Sequence, residues 1–413
     1  MSRIDDLIER LCPSGVPHRA LGEFATLVRG SGMPKADFAD AGVGAIHYGQ
    51  IYTRYGAWTT STISFVPPAI AARLAKVDPG DIVITNTSEN VEDVGKAVAW
   101  LGESQIVTGG HATVIKHHED PKYLSYWFQS ASFLAQKKAL ATGTKVIDVS
   151  AKQLAKVRLP VPPAEVQREI VRVLDTFQEL EGELEAELEA RRRQYAHYRD
   201  SLLTFPLEEA GWAPLREVIT YTRGVTYAKS DEVRHGGAGH RVLRSNNIDL
   251  DANRLDLSDV RVINESVRIR ADQRLKKDDI LVSAASGSKA HVGKVAFVGD
   301  DMDYVFGGFM AVVRVTTGVL PRYLFHQLVD KSFADYLDST IPSTTINNLT
   351  GEIIGNFRIP VPSIEEQSRI VAILDTFDTL VNGLTVGLPA ELAARRQQYA
   401  YYRDRLLTFR EVA

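Results

Sequence analysis

The chain repeats itself, and the repeat limits its fold more than any other feature. Residues 159–177 read LPVPPAEVQREIVRVLDTF and residues 359–377 read IPVPSIEEQSRIVAILDTF, with 11 identities in 19. Residues 190–205 (ARRRQYAHYRDSLLTF) return at 394–409 (ARRQQYAYYRDRLLTF) with 13 identities in 16. The first match is spaced by 200 residues and the second by 204, so about one helical turn is inserted in the second copy. Upstream of each match only a skeleton recurs. Leu21-Gly22-Glu23 and Arg29-Gly30 answer to Leu215-Arg216-Glu217 and Arg223-Gly224. Gly80–Ile84, Val94-Gly95-Lys96 and Gly109-Gly110 answer to Asp278–Val282, Val292-Gly293-Lys294 and Gly307-Gly308. A chain of 413 residues is therefore two modules of one fold that differ in their loops.

After each Pro-Val-Pro the apolar residues recur at alternating steps of three and four. The first series is Val166, Ile170, Val173, Phe177, Leu180, Leu184, Leu188, Tyr195, Tyr198 and Leu202. The prolines end a strand and start a helix, and Pro163 to Phe205 predicts a rod of about 60 Å. The second series is Ile370, Ile373, Phe377, Leu380, Leu384, Tyr399, Tyr402 and Leu406, with Ser363 and Glu366 as a capping box. Asn382-Gly383 and Gly387-Leu388-Pro389 should interrupt that helix. A lone amphipathic rod needs a partner, and the chain carries its own. The first rod leads away from the first domain and the second leads back, so the two should be antiparallel and return the C-terminus toward a short helix around Ile4 to Leu11.

The regions between the rods read as short β-branched strands between Gly-rich turns: Asp81–Thr85, Lys96–Leu101 and Ala112–Lys116, closed by a helix near Tyr123 to Leu134. The expected fold class is α+β: two mixed α/β domains joined by two long antiparallel coiled-coil helices, with an internal pseudo-two-fold repeat. The expected boundaries are 1–158, 159–205, 206–358 and 359–413.

Charge alone does not name a partner. The net charge is −4. Residues 16–158 carry 15 positive and 12 negative charges, residues 212–358 carry 19 and 18, and residues 159–211 carry 6 and 12, so the acid is concentrated in the first rod. The loops are more informative. Arg, Lys, Asn and Gln pair with base edges, and Ser and Thr suit phosphates. Gln50, Ser88, Asn90, Thr144 and Lys145 in the first domain, and Arg244, Asn246, Asn247, Ser288, Lys289, Thr344 and Thr345 in the second, are the candidate DNA contacts, although ordinary turn chemistry uses the same residues.

Catalytic and metal sites are not expected. Ser286 to Lys294 has five residues between its glycines and Val295 in place of the Ser or Thr of a phosphate loop. His117 and His118 are adjacent and lack a third ligand. The Pro-Pro-aromatic motif of amino-methyltransferases and the Gly-rich turn for S-adenosylmethionine are missing. The lone Cys12 fits a reducing compartment, no apolar run spans a bilayer, and the N-terminus has no signal peptide, so a cytoplasmic protein is expected.

A Pro-Val-Pro-x-x-Glu-x-Gln entry into a long helix, repeated behind two divergent domains, resembles the specificity subunit of type I restriction-modification systems. The resemblance spans nearly the whole chain, including the Leu11–Val16 lead-in. It implies that the domains are target recognition domains, each reading half of a split double-stranded DNA site, and that the helices set their spacing. It further implies assembly with two methyltransferase subunits and with restriction subunits, on which S-adenosylmethionine and ATP would bind. This chain itself would hold no cofactor. Tyr195, Tyr198, Arg199, Tyr399, Tyr402 and Arg403 are the expected docking residues. A repeated protein-binding scaffold without DNA specificity remains the alternative.

Overall fold

The computed structural model describes residues 3–206, 211–233, 238–249, 252–342, 346–383 and 386–412. It divides into two compact units, Met1–Glu183 with Leu392–Ala413, and Leu184–Glu391. The principal helices are α1 (Arg3–Leu11), α2 (Pro121–Trp127), α3 (Ala131–Leu140), α4 (Ala164–Leu203), α5 (Pro321–Val329), α6 (Lys331–Thr340), α7 (Ile364–Asn382) and α8 (Leu388–Leu406). The 40 residues of α4 give a length of about 60 Å. Its first half belongs to the first unit and its second half to the second.

The first unit is built on a sheet of five strands in the order Thr26–Arg29, Ala112–Lys116, Ile82–Thr85, Ala97–Trp100, Trp58–Thr59. Ile82–Thr85 is buried along its whole length, which suits its β-branched run. A second sheet runs Ser64–Val66, Val43–Ile46, Ile106–Thr108, Ala75–Val77. The second unit keeps the central strands of both and differs at their edges. Its first sheet is Ile219–Arg223, Met310–Val315, Ile280–Ser283, Val295–Phe297, and its second is Glu232–Val233, Arg261–Ile263, His240–Leu243, Tyr304–Phe306. Even the register repeats. Thr113 faces Arg29 and Ile84 in the first unit, and Ala311 faces Arg223 and Val282 in the second. Gly30 and Gly224 are fixed by this frame, because a Cβ there would lie 1.9 Å from the Gly109 carbonyl oxygen and 2.2 Å from that of Gly307.

Each helical entry docks on its own domain through the motif that marked it in the sequence. Gln167 accepts the Asp120 N–H at 3.0 Å and donates to the Pro162 carbonyl at 2.8 Å. Gln367 accepts the Leu320 N–H at 2.8 Å and donates to the Pro362 carbonyl at 2.9 Å. The Tyr123 and Tyr323 hydroxyls donate to the carbonyls of Pro160 and Pro360 at 3.0 and 3.1 Å. Asp175 then takes Lys122 and Tyr126, where Asp375 takes Arg322 and His326.

Beyond the docking surface the helices pair. In the first unit Phe177 lies against Tyr399 and Tyr402, and Glu181 pairs with Arg396 at 2.6 Å, a descending order that makes α4 and α8 antiparallel. In the second unit Tyr195 and Tyr198 stack on Phe377. Also in the first unit the C-terminal segment returns to the start of the chain. Val16 donates to Arg410, Val412 donates back to Val16, and Leu407 joins Ile4 in the core.

Four expectations need correction. The helix read over Tyr123 to Leu134 is two, α2 and α3, because the Ser130 hydroxyl accepts the Phe133 N–H and starts a new helix. At Ser363 only half of the capping box forms. The hydroxyl accepts the Glu366 N–H, but the Glu366 carboxylate pairs with Arg369 instead. The four extra residues of the second copy do not add a turn. They fall where α7 stops at Asn382 and α8 begins at Leu388, with Gly387 at φ +99°. Leu384 lies outside the described residues. Finally, the early seam is not a two-helix seam. Val166, Ile170 and Leu174 are buried in the domain core, whereas Leu180 is 41% exposed.

Candidate nucleic-acid interface

Short strand pairs gather the candidate loops at one place in each domain. In the first, Thr87–Ser88 pairs antiparallel with Ile147–Asp148, which brings the Ser88 and Asn90 loop beside Thr144 and Lys145. The clasp is buried Asn86, which donates to the Val149 carbonyl and accepts the Thr113 hydroxyl, both at 2.8 Å. Thr144 and Lys145 stand exposed. Asn90 is engaged with Asp93, donating to its carboxylate at 2.9 Å and accepting its N–H at 2.8 Å.

In the second domain Ala285–Ser286 pairs with Asn347–Asn348. Here the clasp is Arg223, which donates to the Ala284 carbonyl at 3.2 Å and the Asn348 side chain at 3.1 Å. Ser288 is exposed on this loop. Lys289 is turned toward α6, where it donates to the Asp338 carbonyl at 2.7 Å. Thr344 and Thr345 lie outside the described residues. Asp259 holds Arg244 and Asn246 side by side, at 2.9 and 3.1 Å.

Two candidates have their side-chain amides engaged inside the domain. Asn247 is only 1% exposed, accepts the Arg244 N–H at 2.8 Å and donates to the carbonyls of Asp256 and Asp259. Gln50 accepts the His47 N–H at 3.1 Å and donates to the Ser64 hydroxyl at 2.6 Å. Both sit at the same point of the frame and shape the same turn, so their amides are spent inside the fold.

The second domain has a cavity of about 560 Å³, lined by Tyr227, Lys229, Arg244, Asn246, Ser286 and Phe309 among others. Of these, Arg244 and Asn246 were singled out in the sequence; Lys229, Tyr227 and Phe309 were not. At the corresponding place in the first domain His111 hydrogen-bonds to the Thr87 hydroxyl at 2.8 Å and packs on Tyr48 at 5.0 Å, with His47 next to Tyr48 at 4.4 Å. Burial, helped by Lys35 and His111, pulls the His47 imidazole below its ordinary value, so it is neutral at neutral pH. Apolar groups also recur beside the loops, with Val146 and Ile346 each 57% exposed.

The expected docking residues divide in two. Tyr195 is buried on Phe377, and Arg199 lies over the Tyr195 ring and 3.9 Å from Asp330. Tyr399 packs on Phe177 with its hydroxyl pushed up to about 12 by burial, and Arg403 pairs with Asp404 at 3.0 Å. These four side chains make contacts within the chain. Tyr198 and Tyr402, 41% and 36% exposed, keep a free face, and the neighbouring Tyr401 is 60% exposed. Among the described residues no group of three or more His, Cys, Asp or Glu side chains is placed to hold a metal ion, and no helix is long and apolar enough to cross a membrane.

Comparison with known proteins finds the type I restriction modification DNA specificity domain twice, at residues 13–190 and 214–394. The type I restriction enzyme EcoR124I/EcoR124II specificity subunit of Escherichia coli is 32% identical over 245 residues, and the match spans 59% of either chain. A putative type I restriction enzyme specificity subunit of Haemophilus influenzae, S.HindORF215P, is 27% identical over 321 residues, 72% of this chain and 75% of that one. Among solved structures, the S subunit of a type I restriction-modification system from M. genitalium matches over 95% of this chain and 96% of its own, with a TM-score of 0.51 at 13% identity. A chain from a structure described as showing complex assembly and conformational transition of the type I R-M system matches over 95% and 97%, with a TM-score of 0.64 at 19% identity. At those identities the structural likeness concerns the fold alone.

Proposed function

Since this chain belongs to the family that carries the type I restriction modification DNA specificity domain, we propose that it is the sequence-reading subunit of such a system. Each domain reads one half of a split double-stranded DNA target. The observation that carries this reading is the contrast between frame and loops. The central strands of the two domains share order and register, yet the domains present Ser88, Thr144 and Lys145 at one loop cluster and Arg244, Asn246 and Ser288 at the other. A common frame with different donors is what two half-sites of different sequence require. The helices set the unread spacer.

The chain itself does no chemistry in this scheme. Two methyltransferase subunits, docked on the exposed tyrosine faces of the helices, bind S-adenosylmethionine and modify the DNA. Restriction subunits bind ATP and cleave it, and the complex works in the cytoplasm. A protein-binding scaffold without DNA specificity is set aside by the family match.

Exchange of residues 206–358 for the equivalent domain of another specificity subunit tests the proposal. Sequencing of methylated bases in DNA exposed to the complex should show one half-site changed, with the other half-site and the spacer kept. Both half-sites changing together, or DNA affinity that ignores salt, would refute it.

A further inference from the structure

The turn between the strands Tyr304–Phe306 and Met310–Val315 presents one side chain that the frame does not use. Phe309 is 60% exposed. The backbone beneath it is pinned. Its carbonyl oxygen accepts the N–H groups of Ala284 and Ala285 at 2.8 and 2.9 Å, and Met310 donates to Gly307 at 2.7 Å. Arg223 donates to the Gly308 carbonyl at 2.9 Å, and Gly307 donates to Leu243 at 2.9 Å. A phenyl ring held out in water on a backbone that cannot fold it back is a preorganised anchor.

Its surroundings select the ligand. The cavity that Phe309 lines also holds the cation Lys229 near the carboxylate Glu232, Arg244 and Asn246 spaced by Asp259, and a second ring, Tyr227. Cations for a phosphate, a donor for a base edge and an apolar ring together match one nucleotide unit of a duplex. The first domain spends its ring differently. His111 sits in the left-handed region at φ +67° and is tied to Thr87. Position 111/309 is therefore polar and anchored in one reader, apolar and free in the other.

We propose that Phe309 is a specificity-determining residue of the second domain, its ring meeting the apolar surface of a base pair. That surface is either the face of a base at an opened step or the 5-methyl group of a thymine. The assignment rests on the DNA-reading function above and adds the contact that separates the two domains.

The test uses the complex with its methyltransferase subunits and a duplex carrying the target found by sequencing methylated bases. Phe309→Ala should bind this duplex about 5- to 150-fold more weakly, the cost of one lost base–aromatic contact. Binding to non-specific duplex at the same salt should not change. Phe309→Tyr should retain most of the preference. Two substitutions in the second half-site separate the sources. Uracil in place of one thymine should weaken the wild type but not Phe309→Ala if the methyl group is the contact. A 2-aminopurine probe should brighten on binding the wild type but not the variant if a step is opened. Equal target affinity of Phe309→Ala and wild type, or equal loss on target and non-specific duplex, overturns the inference while DNA reading stands. A wild-type complex with no preference for the target overturns both.

Discussion

Replacing Gln367 with methionine keeps the length of the side chain and removes its polar atoms. Gln367 is fully buried, accepts the Leu320 N–H at 2.8 Å, and donates to the carbonyls of Pro362 and Gly318 at 2.9 and 3.1 Å. Gly318 is exposed and can turn its carbonyl to water. The other two partners lie deeper, and a buried group left unpaired costs about 1–3 kcal/mol. The loss should therefore be on the order of 3 kcal/mol, a fall in melting temperature of about 5–15 °C for a unit of this size. The local readout is the Leu320 amide, whose hydrogen exchange should quicken more than that of Ile280–Ser283 in the sheet. Gln367→Glu adds a sign. Its carboxylate would face two carbonyl oxygens, so its folded pKa is raised and stability should recover as pH falls from about 7 toward 4, when the protonated acid can donate. A cost below about 1 kcal/mol in Gln367→Met, with the Leu320 amide still protected, would refute the role given to this glutamine.

Further outcomes follow from single groups. Burial holds the His326 imidazole below its ordinary value despite Asp375, so the unfolded chain takes the proton first and stability should fall below about pH 6.5; urea titrations of His326→Gln should show a shallower loss. Burial lowers the Lys137 amine to about 8, so folding stability should rise between about pH 8 and 10.5, a rise absent from denaturation curves of Lys137→Met. Asp259→Ala frees Arg244 and Asn246 from the carboxylate that spaces them, and should raise affinity for non-specific DNA while lowering the preference for the target in titrations at fixed salt. One added turn near Glu187, matched in the facing helix, should lengthen the unread spacer by about one or two base pairs, whereas a two-residue insertion turns the seam by about 200° and should abolish assembly; methylation-site sequencing distinguishes them.

Much of the frame was legible in the sequence because its signals are periodic or duplicated. The strand Ala112–Lys116 lies where a β-branched run between Gly-rich turns put it. The helix Ala164–Leu203 starts just after the prolines. The site was less legible, for a physical reason. Asn and Gln in loops serve turns and DNA with the same amide, and only the tertiary structure shows that Asn247 and Gln50 are satisfied internally. One cue did exist. His47-x-x-Gln50 and Arg244-x-x-Asn247 close the same capping geometry at the same point of both repeats, and a feature common to both copies speaks for the frame. Phe309 escaped notice because a lone aromatic after two glycines, beside a strand, reads as core in sequence.

The same contrast explains how the loops diverge at little cost to the fold. Gln167 and Gln367 take their main partners from backbone N–H and C=O groups, and the tyrosines Tyr123 and Tyr323 do likewise. Backbone groups are present whatever the side chain, so substitutions around them leave the frame's hydrogen bonds in place. The clasps beneath the loops show the consequence. Asn86 in one domain and Arg223 in the other join the same segments with different side chains, both reaching backbone carbonyls. Above such a clasp, position 111 can carry a histidine tied to Thr87 and position 309 a free phenylalanine without moving a strand. Where the frame depends on the backbone, sequence in the loops is free to follow DNA.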